Sequence, residues 1–299
     1  MTFVLSLICP PDAAELTPAL IERVNHGLDA AGANARPIVW LDRERAADIP
    51  FEGDDAAVLE ELRRRLNDVP VDVNVLGASG RRKKLLLSDM DATAIIGETL
   101  DELSNFTAHK AEIDNLTRQS VNGLMNFAET LVARMELMRG LPEDALAKTW
   151  SKVEPTPGMK TAIATMRAHG AYTALVSGGF TYFTGRVRDL IGFDCDIAND
   201  LELIDGRLTG RVPPPIIDPA GKVAALRRLT ADRGVTQPET LAIGDGSNDI
   251  PMLKEAGLGI AFCGKPKVKQ AIPVWLDYAG PTGLLYLQGF RRAEFAEVS

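Results

Sequence analysis

Four short runs in the latter two-thirds of the chain are apolar on both faces: Leu85–Ser88, Tyr172–Ser177, Leu241–Gly244 and Gly259–Phe262. A strand with one buried face alternates apolar and polar residues, so runs like these predict a parallel sheet covered by helices on both sides. The stretch between the first two changes to helical spacing, with Leu124, Phe127, Leu131, Met135 and Met138 falling on one face. This predicts a helical cap inserted at about residues 97–155. Residues 1–80 follow another rhythm. Phe3–Cys9 is strand-like, and Thr17–Ala31 carries Leu20, Val24 and Leu28 at helical spacing, with Thr17 as a cap before Pro18. Ala35–Leu41 and a weaker Ala47–Phe51 read as strands. Ala56–Leu66 repeats helical spacing through Val58, Leu59 and Leu62, and Val71–Leu76 alternates as a half-buried strand does. The order is βαββαβ.

At 299 residues the chain exceeds the usual single core. The expected division is residues 1–80 and residues 81–299, with Arg81-Arg82-Lys83-Lys84 as a solvated linker at the junction. The 33 basic and 41 acidic residues leave a net charge of −8, which argues against a sequence-independent nucleic-acid binder. Cys9, Cys195 and Cys263 form no C-x-x-C pair, so neither a disulfide framework nor a zinc site is indicated and a reducing compartment is expected. The apolar start, Met1–Cys9, has no basic lead and is too short to span a bilayer. It reads as a first strand, and the protein as cytoplasmic with no membrane partner.

The chemistry begins where the first apolar strand ends, at Asp89-Met90-Asp91-Ala92-Thr93. A carboxylate can attack phosphorus and hold the group as an acyl phosphate, while a second carboxylate two residues on protonates the departing oxygen. Alone the pair is ambiguous, because acidic residues also cluster in surface turns. Three further segments follow strands or open a helix. Ser177-Gly178-Gly179-Phe180-Thr181 offers a hydroxyl and accessible backbone N–H groups for phosphate oxygens, though it also reads as a tight turn. Lys222 could neutralise both the phosphoryl group and the nucleophile. Gly244-Asp245-Gly246-Ser247-Asn248-Asp249 is a carboxylate-rich turn suited to a hard cation such as Mg2+. Ligands in such sheets bind at the carboxyl ends of the strands.

In this order the four segments resemble the haloacid dehalogenase superfamily, a Rossmann-like α/β fold with an aspartyl-phosphate intermediate. The resemblance covers about residues 85–275 and extends to the members that act on phosphoserine. It rests further on Gly97–Leu103, Val132–Leu137, Ala198–Glu202, Asp205–Gly210 and Ala256–Phe262. It implies Mg2+-dependent hydrolysis of O-phospho-L-serine, with Asp89 as nucleophile and Asp91 as acid and base. Mg2+ would be held by Asp89, Asp91 and Asp245, with Asp249 behind them. Ser177, Gly178, Lys222 and Asn248 would hold the phosphate, and Glu98 and Arg134 would recognise the ammonium and carboxylate. Phe127 could shield the site under a closed cap. Ala92 stands where that family often has Ser, and Val121 where it usually has Met.

The βαββαβ order of residues 1–80 is ferredoxin-like and resembles the ACT domain, a small-molecule regulatory module compatible with a homodimer. The glycine common in that family's first strand-to-helix loop is absent from Cys9–Ala13, and a packing or dimerisation domain is the alternative. Two other functions stay open: a phosphatase or phosphotransferase of the same superfamily acting on another small phosphate such as phosphohomoserine, and an amino-acid-sensing regulatory protein.

Overall fold

The computed structural model describes residues 2–12, 15–121 and 124–298. The N-terminal sheet contains β1 (Thr2–Ile8), β2 (Asn34–Ala35), β3 (Val39–Asp42), β4 (Ala46–Glu52) and β5 (Asp72–Gly77), in the order β2-β4-β1-β5 with β3 also on β4. Every pairing is antiparallel. Helices α1 (Pro18–Ala30) and α2 (Asp55–Arg65) cover one face. Thr17 accepts a bond from Leu20 N at the start of α1, and Asp54 caps α2 in the same way. The strand expected over Ala35–Leu41 is two pieces, because Pro37 lies between them and has no N–H to give a ladder. The weaker expectation, Ala47–Phe51, falls within the seven-residue β4, which pairs along β1 from Thr2 to Ile8.

The second sheet contains β6 (Leu85–Ser88), β7 (Tyr172–Phe180), β8 (Cys195–Asn199), then, beyond a two-stranded hairpin of β9 (Leu203–Ile204) and β10 (Arg207–Leu208), β11 (Thr240–Gly244), β12 (Leu258–Phe262) and β13 (Trp275–Leu276). Its order is β13-β12-β11-β6-β7-β8 and all pairings are parallel. The four predicted strands are its centre; β8 and β13 are edges that the apolar pattern did not single out. Between β6 and β7 come α3 (Thr99–Ser104), α4 (Lys110–Val121), α5 (Phe127–Leu137), α6 (Glu143–Trp150) and α7 (Met159–Ala168). Leu131, Met135 and Met138 are buried, whereas Leu124 precedes α5 and is 78% exposed. Asn126 explains the difference: its side chain accepts from Glu129 N and starts the helix there, which leaves Leu124 outside the helical period. After β7 come α8 (Thr181–Ile191), α9 (Pro219–Asp232), α10 (Ile250–Glu255), α11 (Pro266–Ala271) and α12 (Gly283–Leu287). Among the described residues no helix is long and apolar enough to cross a membrane.

The helix-free face of the N-terminal sheet lies against the second sheet's edge and the C-terminal segment. Ile8, Leu41 and Ala46 share a core with Leu276, Tyr286 and Phe295. The Asp72 carboxylate accepts from the backbone N–H groups of Asp277, Tyr278 and Ala279, at 2.8, 3.1 and 2.9 Å. The Asn74 amide donates to Trp275 O and accepts from Trp275 N, replacing a missing strand neighbour. The basic run is solvated only in part, Arg82 and Lys84 staying exposed. Arg81 is largely buried, paired with Asp48 and donating to the carbonyls of Tyr286 and Leu287. Arg82 pairs with Glu294, Lys83 donates to Gly80 and Pro238 carbonyls, and Lys84 pairs with Glu239. The partners that dock the run are up to 212 positions away in sequence.

Candidate active site

The carboxyl ends of β6, β7 and β11 converge below the inserted helices. β6 delivers Asp89, whose N–H continues the sheet by donating to Ile243 O at 3.0 Å. The chain then turns in a five-residue bend, Met90–Ala94, in which Ala92 takes the left-handed conformation (φ 51°) and donates its N–H to Gly97 O. That bend brings Asp91 back beside Asp89 and leads directly to Glu98 and α3. Ala92 does not line the cavity, so its departure from serine leaves the cavity wall unchanged. The Val121 substitution lies next to Asn122 and Gly123, outside the described residues, and its side chain is not described.

Asp89, Asp91, Glu98 and Arg134 share one cavity of about 200 Å³ with Ser177, Gly178, Asp245 and Asn248. Lys222 and Asp249 lie behind its wall, both fully buried, and reach the cavity through Asp89. Lys222 Nζ is 2.7 Å from Asp89 Oδ1 and 2.6 Å from Asp249 Oδ1. Burial alone would lower the ammonium's pKa, but the two carboxylates and their hydrogen bonds outweigh it and hold Lys222 charged. Met90 N also donates to Asp89 Oδ1, which leaves Oδ2 as the free oxygen. Asp91 Oδ1 accepts from Thr99 N at 2.7 Å. Burial raises the Asp91 carboxyl to about 6, against the Thr99 bond and with help from the Asp89 charge.

Asp89, Asp245 and Asp249 each place one carboxylate oxygen within 4.8 Å of the others. Burial first, and then the charge of Asp89, push both Asp245 and Asp249 upward. Lys222 cannot neutralise three carboxylates alone, and a buried all-oxygen anionic set suits a hard divalent cation. Asp249 already uses both oxygens, one on Lys222 and one accepting from Gly246 N, so it is the least available as a direct ligand.

Ser177 Oγ accepts from Gly179 N at 2.8 Å, which leaves its O–H to donate into the cavity. Gly178 carries no Cβ for a specific reason: a Cβ there would run into Phe127 Cζ, since the cap's aromatic ring lies on the loop. Glu98 is exposed toward the cavity yet recessed among carboxylates. Desolvation, followed by the fields of Asp91, Asp245, Asp89 and Asp101, raises it to about 8. The field is the firmer cause, because solvent reaches the side chain. Arg134, from α5, pairs with Asp101.

Three residues were missed by the sequence reading. Asn199, fully buried, donates to Gly178 O (2.8 Å) and accepts from Ile217 N (2.7 Å), tying the phosphate-holding loop to the segment that leads into α9 and Lys222. Its segment was noticed only as a likeness. Lys265 reaches Asp245 at 3.4 Å. Asp101 shares the cavity wall with Glu98 and Arg134. Neither Lys265 nor Asp101 carries a local signal that separates it from other surface charges.

Two neighbouring aspartates, a serine-glycine loop, a buried lysine and an acidic cluster that could hold a metal ion stand together on a capped α/β sheet. The chain matches the haloacid dehalogenase-like hydrolase family over residues 86–254 and belongs to it. It is 36% identical to a phosphoserine phosphatase of Streptomyces coelicolor, over 95% of this chain and 70% of that protein. Its structure is similar to a probable phosphoserine phosphatase from Vibrio cholerae, at 26% identity and a TM-score of 0.79, covering 96% of this chain and 86% of that one. It is also similar to a phospho-aspartyl intermediate analogue of phosphoserine phosphatase, at 33% identity and a TM-score of 0.65, covering 69% of this chain and 98% of that one. Within the hydrolases, its branch is that of the phosphoserine phosphatases.

Proposed function

We propose that this chain hydrolyses O-phospho-L-serine to L-serine and phosphate, the last step of serine biosynthesis, through an aspartyl phosphate on Asp89. The observation that carries the reading is the shared cavity of Asp89 and Asp91 with Glu98 and Arg134, which puts phosphoryl chemistry beside one carboxyl and one guanidinium as recognition groups. Asp89 Oδ2 attacks phosphorus, because Oδ1 is held by Lys222 and Met90 N. Asp91 protonates the serine oxygen, and its raised pKa suits it to carry that proton. Once ionised, it takes a proton from the water that attacks the aspartyl phosphate. Lys222, the Ser177 hydroxyl and the Gly178 N–H stabilise the phosphoryl oxygens as charge redistributes. Asn248 orients the phosphate or the attacking water. Glu98, protonated before substrate binds by its burial and its carboxylate neighbours, is returned to the ionised form by the substrate ammonium it receives, and Arg134 takes the carboxylate.

Mg2+ fits the acidic set: Asp89, the Asp91 backbone carbonyl and Asp245 would hold it, with Asp249 behind, and it would supply charge neutralisation for the phosphoryl group. Residues 1–80 act as an ACT-like module and residues 81–299 as the phosphatase domain, with its cap at about 97–155. Free Cys9, Cys195 and Cys263 suit a cytoplasmic enzyme. A homodimer through the N-terminal module would have to use its helices or sheet edges, since the other face is covered.

Phosphate release from L-phosphoserine, phosphothreonine, phosphohomoserine and p-nitrophenyl phosphate, with Mg2+ and with EDTA, tests this. Strong Mg2+-dependent preference for L-phosphoserine is expected. Equal activity on all four would discard the substrate, and serine binding without any turnover would restore the sensor reading. Asp89→Asn retaining wild-type turnover would remove the nucleophile.

A further inference from the structure

Asp101 and Arg134 meet across the cavity from α3 and α5, with Asp101 Oδ1 at 2.5 Å from Arg134 Nη2. Nε of the same guanidinium is buried and has no acceptor among the described residues. Nε and Nη2 together form one of the edges on which arginine grips a carboxylate with two parallel bonds. Asp101 therefore occupies one corner of that edge and leaves the other donor unsatisfied, which is unfavourable for a buried N–H. The pair is also unequal in exposure: the Arg134 side chain is 13% exposed and Asp101 42%, so Asp101 has solvent to turn to and Arg134 does not. A carboxylate seated on Nε and Nη2 would satisfy the orphaned donor and take Nη2 from Asp101.

We propose that Asp101 is a built-in competitor for the substrate's α-carboxylate, a specificity-determining counter-ion that Arg134 exchanges for substrate and regains on product release. The proposal rests on the assignment of Arg134 to the carboxylate made above. It loosens the hold on every ligand that carries an α-carboxylate, serine included, and acts less on carboxylate-free phosphoesters.

The test compares O-phospho-L-serine with O-phosphoethanolamine, which lacks the carboxylate, in the wild type and in Asp101→Asn. Removing the competing charge lowers KM for phosphoserine and the inhibition constant for L-serine by about threefold, the scale of a partly exposed ion pair. KM for phosphoethanolamine moves by less. In an Arg134→Ala background the Asp101 change has no effect on either substrate, because the exchange partner is gone. An unchanged or raised phosphoserine KM in Asp101→Asn, or an equal shift for both substrates, overturns the exchange and makes Asp101 a support for Arg134 or for the cap. A wild type that does not prefer phosphoserine over phosphoethanolamine overturns the Arg134 assignment, and the exchange with it.

Discussion

Lys222 Nζ lies 2.7 Å from Asp89 Oδ1, with both side chains out of solvent. The lysine is the only cationic partner of Asp89 among the described residues, and it also holds Asp249. Lys222→Ala is expected to lower kcat/KM by at least about 10²-fold, because charge developing on the phosphoryl group loses its fixed donor. It should also lower stability by about 3 kcal/mol or more, since two buried carboxylates lose their counter-ion. Thermal melts with and without Mg2+ separate the two effects: added Mg2+ should recover part of the stability in the variant and much less in the wild type.

The proposed mechanism uses Asp91 first as an acid and later as a base, so its loss should depend on the leaving group. Asp91→Asn keeps an oxygen for the Thr99 N–H and removes only the proton. Turnover of phosphoserine should fall by about 10²- to 10⁴-fold. With p-nitrophenyl phosphate, whose leaving group needs no protonation, the first step should survive while hydrolysis stalls. Intact-mass measurement should then show the chain carrying one phosphoryl group. An unmodified chain would mean that Asp91 is not the base.

The contact of Phe127 with Gly178 links cap to catalytic loop. Gly178→Ala pushes the new methyl group into the Phe127 ring, and overpacking of this kind costs about 1–3 kcal/mol. The cap should close less completely, with kcat/KM down by about tenfold or more. Phe127→Leu in the same chain removes the ring edge and should restore part of the activity. No recovery would show that Gly178 matters through its backbone alone.

Asp72 makes the docking of the N-terminal sheet pH-dependent. Burial, opposed by three backbone N–H donors and reinforced by Asp277, pushes its carboxyl up to about 6 from an ordinary value near 4. The folded state therefore binds this proton more tightly than the unfolded chain does. The stabilisation is fully present below about pH 4 and is lost as pH rises through about 6. Its size is about 2–3 kcal/mol. The Tm of the wild type relative to Asp72→Asn should fall between pH 4 and 6 and stay level above pH 7. A difference independent of pH would mean that Asp72 is charged throughout that range.

Much of the candidate site was legible because its residues sit at fixed offsets from strand ends. Asp89, Ser177 and Asp245 each follow an apolar run, and a parallel sheet brings the ends of such runs to one side. Lys222 was legible mainly by likeness, since a lone lysine resembles any surface charge until Asp89 and Asp249 are seen around it. Asn199 closes the loop through a side chain bonded on both sides, and Asp101 competes for Arg134 from another helix; neither relation leaves a local pattern. The splitting of Ala35–Leu41 at Pro37 could have been anticipated. The exposure of Leu124 needed the start of α5 to be placed to within a residue or two, which depends on Asn126 winning the cap.

Local residue order, by itself, determined the alternation of strands and helices, the helical insertion and the turn chemistry at each strand end, because backbone sterics and apolar periodicity act over a few neighbours. It also determined which side chains could attack phosphorus or hold a cation. Only the tertiary structure decided that the helix-free face of the N-terminal sheet is closed against the other sheet's edge, that Arg81 is buried rather than solvated, and that Arg134 is already paired. Those outcomes rest on ion pairs and hydrogen bonds between residues far apart in the chain, whose energies exist only after the two sheets and the cap have been brought into contact.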